Sequence, residues 1–330
     1  MNWIATFVAG VASFVAAAEC ASAQDAAAAE CAACKEAGGA CATCKAAAGT
    51  AAAACCEAAC ESPISGALAL TATTHYFFRG LVQEDQGLIF QPAVTLSTEL
   101  WSGDGPVQSL GLSVCNWNSL HSGPTGTGGS GNNSPSAWYE SDLITCLTFN
   151  FACGTTLAAS WVEYTSPNSL FKTTSELDLV LGFDDSAWCA RNMRGFGGFG
   201  PTFTLAIEVD GQTDQNAAPA GTDEGSFLGF GIAPEWECCT LPCCDAPCTL
   251  SIPVNAGFSL GNYYEDATGD DDTLGYWDVG AFVSFPLCSR FGEWTVSAGT
   301  QLVFLNGNQE DLNHDAGIEW TGTLGLSIGF

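Results

Sequence analysis

The sequence predicts an all-β fold: a closed, antiparallel, transmembrane β-barrel of about twelve strands, within a range of about ten to fourteen, over residues 63–330. Three observations predict it. Apolar and polar residues alternate with period two along most of that range. No run of about 20 apolar residues follows the N-terminal stretch, which excludes a helical membrane protein. The composition is one of strands and turns, with 47% hydrophobic residues, only 13% charged, 38 Gly and 2 Met.

In chain order, residues 1–23 read as a secretory signal. Ile4 to Ala18 is its apolar core, and Ala21-Ser22-Ala23 before Gln24 is a small-residue cleavage site. The positive region is weak, since only the terminal amine is charged there. Cys20 is a poor lipoprotein cysteine because Glu19 precedes it. Residues 24–62 are a separate Ala/Cys-rich segment, helical by the propensity of Ala but interrupted at Gly38-Gly39 and Gly49, or else a loosely ordered tether. From Pro63 the period changes to two. The predicted strand cores are 66–78, 87–101, 106–118, 138–151, 155–165, 172–184, 198–210, 225–236, 249–262, 274–287, 292–306 and 318–330. In the last, the even positions from Ile318 to Phe330 are apolar apart from Gly322, and the odd ones are Glu319, Thr321, Thr323, Gly325, Ser327 and Gly329. One face suits lipid and the other a polar lumen. A soluble β-sandwich would not turn apolar residues outward on every strand. Pro92, Pro201, Pro234, Pro253 and Pro286 fall near strand ends, where a missing ladder donor is tolerated.

Loop lengths set an orientation. Long connections rich in Gly, Asn and Asp, at 79–86, 119–137, 166–171, 211–224, 263–273 and 307–317, are expected to face outward. The alternate connections, 102–105, 152–154, 185–197, 237–248 and 288–291, then face the periplasm. Aromatic residues gather at the strand ends as membrane girdles: Tyr76, Trp117, Trp138, Tyr139, Tyr263, Tyr264 and Trp320 outside, Trp101, Trp236 and Trp294 inside.

The terminal strand closing on Phe330 resembles the C-terminal signature of outer-membrane barrels. The run Thr74-His-Tyr-Phe-Phe-Arg-Gly-Leu-Val-Gln83 resembles a first-strand signature, Tyr-x-x-Arg-Gly-x-x-Gln, of an uncharacterised family of porin-like bacterial envelope proteins. Val162-Glu-Tyr-Thr-Ser-Pro-Asn168 with Glu176-Leu-Asp178 looks like a later Tyr-x-x-Pro and Glu-x-Asp block of the same family. The resemblance implies a barrel in the outer membrane and no established activity. The Cys-rich segments depart from it.

Charge is lopsided, with 36 acidic against 7 basic residues and a net charge of −29, so nucleic acid is excluded as a partner and cations are the natural counterpart. Strand parity points Glu99, Glu140, Asp142, Glu176, Asp178, Glu208, Glu235, Asp278 and Glu319 into the lumen, with no Lys or Arg inward in a strand core. The functional reading is a cation-preferring pore; the plainer one is a closed lumen filled by hydrogen-bonded polar groups.

There are 18 cysteines. An exported chain meets an oxidising compartment, so disulfides are the default. Cys31-x-x-Cys34 and Cys41-x-x-Cys44 are symmetric about Gly38-Gly39. A helical hairpin there would pair Cys34 with Cys41 and Cys31 with Cys44, and a four-thiolate zinc site is the rival the spacing also allows. Cys115 and Cys146 point inward on neighbouring strands, and pairing 118 with 143 would set them opposite one another for a cross-strand disulfide. The other barrel cysteines fall in or beside the periplasmic connections. His75, His121 and His314 offer no lipid-facing Ser–His pair, so neither an enzyme nor a cofactor is expected. The reading is a passive channel in contact with outer-membrane lipid and small cations or solutes. Its alternative is a structural envelope protein, disulfide-linked to other envelope proteins through its Cys-rich face.

Overall fold

The computed structural model describes residues 64–330 apart from 124–136, 194, 212–223, 241–246, 267–268, 288, 290 and 314–315. The predicted signal, the Ala/Cys-rich segment and the candidate cysteines Cys31, Cys34, Cys41 and Cys44 lie outside the described residues.

Strand β1 (Ile64–Thr73) is followed by a short hairpin, β2 (Tyr76–Phe78) and β3 (Leu81–Glu84). Strands β4 (Ile89–Ser102), β5 (Val107–His121), β6 (Trp138–Phe151), β7 (Thr155–Thr165) and β8 (Thr174–Phe183) then run up and down the wall. Helix α1 (Ser186–Asn192) leads to β9 (Phe196–Gly198), β10 (Thr202–Asp210), β11 (Ser226–Ile232) and β12 (Glu235–Thr240). The chain continues through β13 (Pro247–Ser251), β14 (Val254–Gly261), β15 (Leu274–Leu287) and β16 (Glu293–Leu305), then α2 (Asn308–Leu312) and β17 (Ile318–Gly329). The ring order is β1, β4, β5, β6, β7, β8, β10, β11, β14, β15, β16 and β17, which pairs back onto β1, so twelve antiparallel strands close the barrel. Closure leaves the twelve-strand ring no open edge, the condition for a sheet to stand in lipid.

Three of the predicted strands are broken where proline removes a donor. Strand β9 meets β10 across Pro201, β11 meets β12 across Pro234, and β13 meets β14 across Pro253. Pro92 stays in register opposite Leu70, and Pro286 opposite Thr295. Past the three breaks, β12 pairs with β13 and β9, forming an arm at the end of the barrel that carries Phe330, here the terminal end.

Parity holds around the wall. On β5 the residues Ser109, Ser113, Cys115, Trp117, Ser119 and His121 are buried, while Val114 between them is 41% exposed. Leu96, Leu143, Ile207, Leu302 and Leu324 are likewise exposed on the outer face. Trp277 stacks on Phe304 there, 3.9 Å between ring centres.

The first predicted strand needs correction. The sequence places one strand at 66–78 and an outward loop at 79–86. Instead the wall strand ends at Thr73, and β2 and β3 form a separate sheet that folds back inside the ring. Tyr76, Phe77, Phe78, Arg79, Leu81 and Val82 are all buried. The tip is a two-residue turn with φ of 47° at Arg79 and 87° at Gly80, the left-handed pair a tight hairpin requires. A Cβ at Gly80 would lie 2.9 Å from Tyr276. Gly80→Val should therefore lower stability by more than about 1 kcal/mol through the strained φ alone, before any clash. Urea unfolding in lipid vesicles checks this, and an unchanged midpoint would count against the turn.

Two further expectations are corrected. Tyr76, Trp117, Tyr139, Tyr263 and Tyr264 are not in an outer girdle: they face inward and fill the lumen. Trp138 and Trp320 at one rim, and Trp101 and Trp236 at the other, are exposed as a girdle requires. Cys115 and Cys146 do point inward, but the register is Asn118 to Ser141, not 118 to 143. Cys115 therefore faces Ile144 and Cys146 faces Ser113, and the two cysteines are not opposite.

Candidate functional site in the barrel lumen

The hairpin tip reaches the far wall. The Arg79 guanidinium donates from Nη1 to Glu176 Oε1 at 2.6 Å and from Nη2 to Glu176 Oε2 at 2.9 Å. A bidentate pair of this kind fixes both partners in geometry as well as in charge. Asp178, the next inward residue on β8, lies 3.8 Å from Nη2. Nη1 also meets the Tyr263 hydroxyl at 2.6 Å, and Tyr164 donates to Glu176 Oε2 at 2.8 Å. The guanidinium carbon sits 4.9 Å from the Phe78 ring centre, 4.5 Å from that of Phe227 and 5.4 Å from that of Tyr263. Aromatic faces compensate a desolvated cation that water cannot reach. The two sequence blocks carrying the family resemblance thus meet in space: Arg79 and Gly80 of the first against Tyr164, Glu176 and Asp178 of the second.

Other anchors hold the sides of the hairpin. Tyr76 donates to Glu140 Oε2 at 2.9 Å, and Tyr139 donates to Gln83 Oε1 at 2.6 Å. Asn313, just after α2, accepts from the Val82 N–H at 2.7 Å and donates to the Gly80 carbonyl at 2.9 Å. Tyr264 donates to the Arg79 carbonyl at 3.1 Å. The walls and the returning loop therefore supply a partner at every level of the inserted segment. The predicted outward loop 307–317 contributes Asn313 to this interior.

Of the acidic residues predicted to line the lumen, Glu140, Asp142, Glu176, Asp178, Glu208 and Asp278 are buried inside the ring. Glu208 accepts from the Gly225 N–H at 2.6 Å, and Asp278 accepts from Asn255 at 2.8 Å. Glu319 and Glu235 are half-buried near opposite rims. Glu99, in register opposite Gly111 near the end of β4, is exposed. Sequence parity missed Arg79, because the residue enters through the hairpin and not on a wall strand. It is the only Lys or Arg buried among the described residues.

A second group was not anticipated. His121 ends β5 and faces inward, with Nε2 2.8 Å from Ser119 Oγ and Nδ1 3.5 Å from Glu84 Oε2 on the hairpin. Its ring stacks on Tyr139 at 4.7 Å. The serine, imidazole and carboxylate follow the order of an acyl-transfer triad. All three are buried, and the group ties β3 to β5. The spacing of Ser119 and His121, two apart on one strand face, is the signal that could have found it.

No protein-family model and no curated protein matches the sequence. Among solved structures, the chain is similar to an outer membrane channel from Pseudomonas putida F1, with 11% identity, a TM-score of 0.46, and coverage of 81% of this chain and 95% of that one. It is also similar to the porin NanC, with 7% identity, a TM-score of 0.36, and coverage of 79% and 98%. A third likeness is to outer membrane phospholipase A from Escherichia coli, with 15% identity, a TM-score of 0.38, and coverage of 80% and 89%. At these identities the likeness is one of fold. The expectation that the chain is no enzyme is corrected here, because a phospholipase stands among the barrels it resembles and the fold excludes neither activity nor its lack. The closed ring and its apolar outer face are those of a transmembrane β-barrel.

Proposed function

We propose that this barrel is an outer-membrane channel with a cation-preferring lumen, and that the β2–β3 hairpin holds it closed. The observation that carries the proposal is the charge of the interior. Six wall carboxylates, Glu140, Asp142, Glu176, Asp178, Glu208 and Asp278, are buried there against the single guanidinium of Arg79 among the described residues. Once the hairpin withdraws, its cation leaves with it, and the wall presents carboxylates alone to an entering ion. A ring of carboxylates favours cations by direct electrostatics. The hairpin is joined to the wall by short segments on both sides, Thr74–His75 and residues 85–88, so it moves without breaking the ring. The Tyr-x-x-Arg-Gly signature supports the same reading, since its arginine is the residue that pins the closed state.

Reversal potentials in a potassium chloride gradient test the selectivity. The open channel should pass potassium in preference to chloride. Replacing Asp142, Glu208 and Asp278 together by their amides should lower that preference several-fold. Chloride selectivity, or a preference indifferent to the triple substitution, would overturn the proposal.

A second reading has an observation of its own. Cys153 and Cys238 are exposed at the terminal end, where a partner's thiol could reach them. In this reading the barrel is fastened to other envelope proteins by disulfides. Electrophoresis of native envelopes without reductant separates the two: a ladder that collapses on reduction supports fastening, and a lone monomer rejects it.

A further inference from the structure

We infer that Cys239 and Cys248 form a cross-strand disulfide that clasps the tip of the β12–β13 arm. The two residues are paired directly across the ladder, Cys239 on β12 against Cys248 on β13. Burial, with the Cys239 thiol beside it, pushes the Cys248 thiol above its usual pKa. Facing residues of an antiparallel pair hold their Cβ atoms about 4.5–5.5 Å apart, and a disulfide needs about 3.5–4.5 Å, so bond formation asks for a small approach of two strands already joined. Cys115 and Cys146, by contrast, are set two residues out of line by the register.

Among the described cysteines, the neighbourhood favours this pair. The register shift between Glu237 and Cys239 takes Cys238 out of the ladder, and Cys238 is exposed. Cys239 is also exposed, whereas Cys248 is fully buried. An incoming disulfide therefore reaches Cys239 first, and the sulfur placed to resolve the mixed disulfide is Cys248. The arm lies beyond the breaks at Pro234 and Pro253, outside the continuous part of β11 and β14. There β13 is paired on its other side to β15, so a link at Cys248 ties the tip of the arm to the wall.

The chemistry balances with a protein disulfide of the exported compartment as oxidant. The Cys239 thiolate attacks one sulfur of that disulfide and releases the other as a thiolate. Cys248, losing its proton, then attacks Cys239, forming the new S–S bond and expelling the second oxidant sulfur. Two electrons and two protons pass to the oxidant, which leaves as a dithiol. The clasp is independent of the channel reading. It also withdraws two thiols from the set able to link the barrel to partners.

The test is thiol mapping on the full chain taken from native envelopes. Protein alkylated without reductant and cleaved before Asp245 should yield one species joining the peptides of Cys239 and Cys248. Neither sulfur should carry the alkyl label until reductant is added. Cys248→Ser should restore labelling of Cys239 in the unreduced protein, and Cys238→Ser should leave the linked species in place. Alkylation of both sulfurs before reduction would overturn the inference. So would recovery of Cys239 bonded to Cys238 or to another molecule.

Discussion

Arg79→Ala should open the barrel. The substitution removes the cation between Glu176 and Asp178 and leaves both carboxylates in a site that water does not reach. Breaking a buried pair by deleting one partner typically costs about 3–5 kcal/mol, because the remaining charge is uncompensated. The wall does not bear that cost, since its ladders do not pass through the hairpin. The loss falls on docking of β2–β3. The expected result is a several-fold rise in ion conductance, with loss of amide exchange protection confined to 76–84. Glu176→Gln should act in the same direction with a smaller effect, because an amide still accepts from Arg79 and Asp178 remains nearby. The remaining anchors, from Tyr76, Tyr139, Tyr264 and Asn313, are neutral donors or acceptors whose individual loss costs about 0.5–1.5 kcal/mol. If Arg79→Ala kept both the closed conductance and the protection, the latch would be wrong.

Leu324→Arg should destabilise the barrel itself. Leu324 lies midway along β17, is 57% exposed, and faces Ala72 and Ala298 across the two ladders. In water such an exposed leucine would be replaced at little cost. At the middle of a bilayer, an outward arginine costs about 2–4 kcal/mol. Refolding equilibria in vesicles should therefore shift by that amount, while the same change at Ile318, near the rim, should cost about 0–1 kcal/mol. A depth-independent effect would contradict the assignment of this face to lipid.

Period-two alternation made the wall legible from sequence, because the side-chain period of a strand does not depend on its partner. By that logic Asp142, Asp178 and Asp278 point inward, and they are buried; Leu324 points outward, and it is exposed. Register is a different matter. A shift of two residues preserves parity, so Cys115 and Cys146 stay inward while each meets a different partner. The bulge between Ser119 and Leu120 has no mark in the sequence. The proline breaks are half legible: the prolines are plain in the sequence, but their effect depends on whether the neighbour needs the missing donor, and Pro92 shows that it need not. Least legible was the hairpin. Three consecutive aromatic residues at Tyr76–Phe78 break the alternation, which was a signal that both faces are covered. Read as the end of a wall strand, the run hid the hairpin that enters the lumen and brings Arg79 with it. The lumen's acidity was therefore visible in the sequence, and its closure was not.

The most direct measurement is the single-channel conductance and reversal potential of Arg79→Ala beside the unaltered protein in planar bilayers. A small or absent current is expected in the unaltered barrel and a larger, potassium-selective one in the variant. Silence in both, with the variant folded and its hairpin unprotected, would contradict a channel closed by its first hairpin.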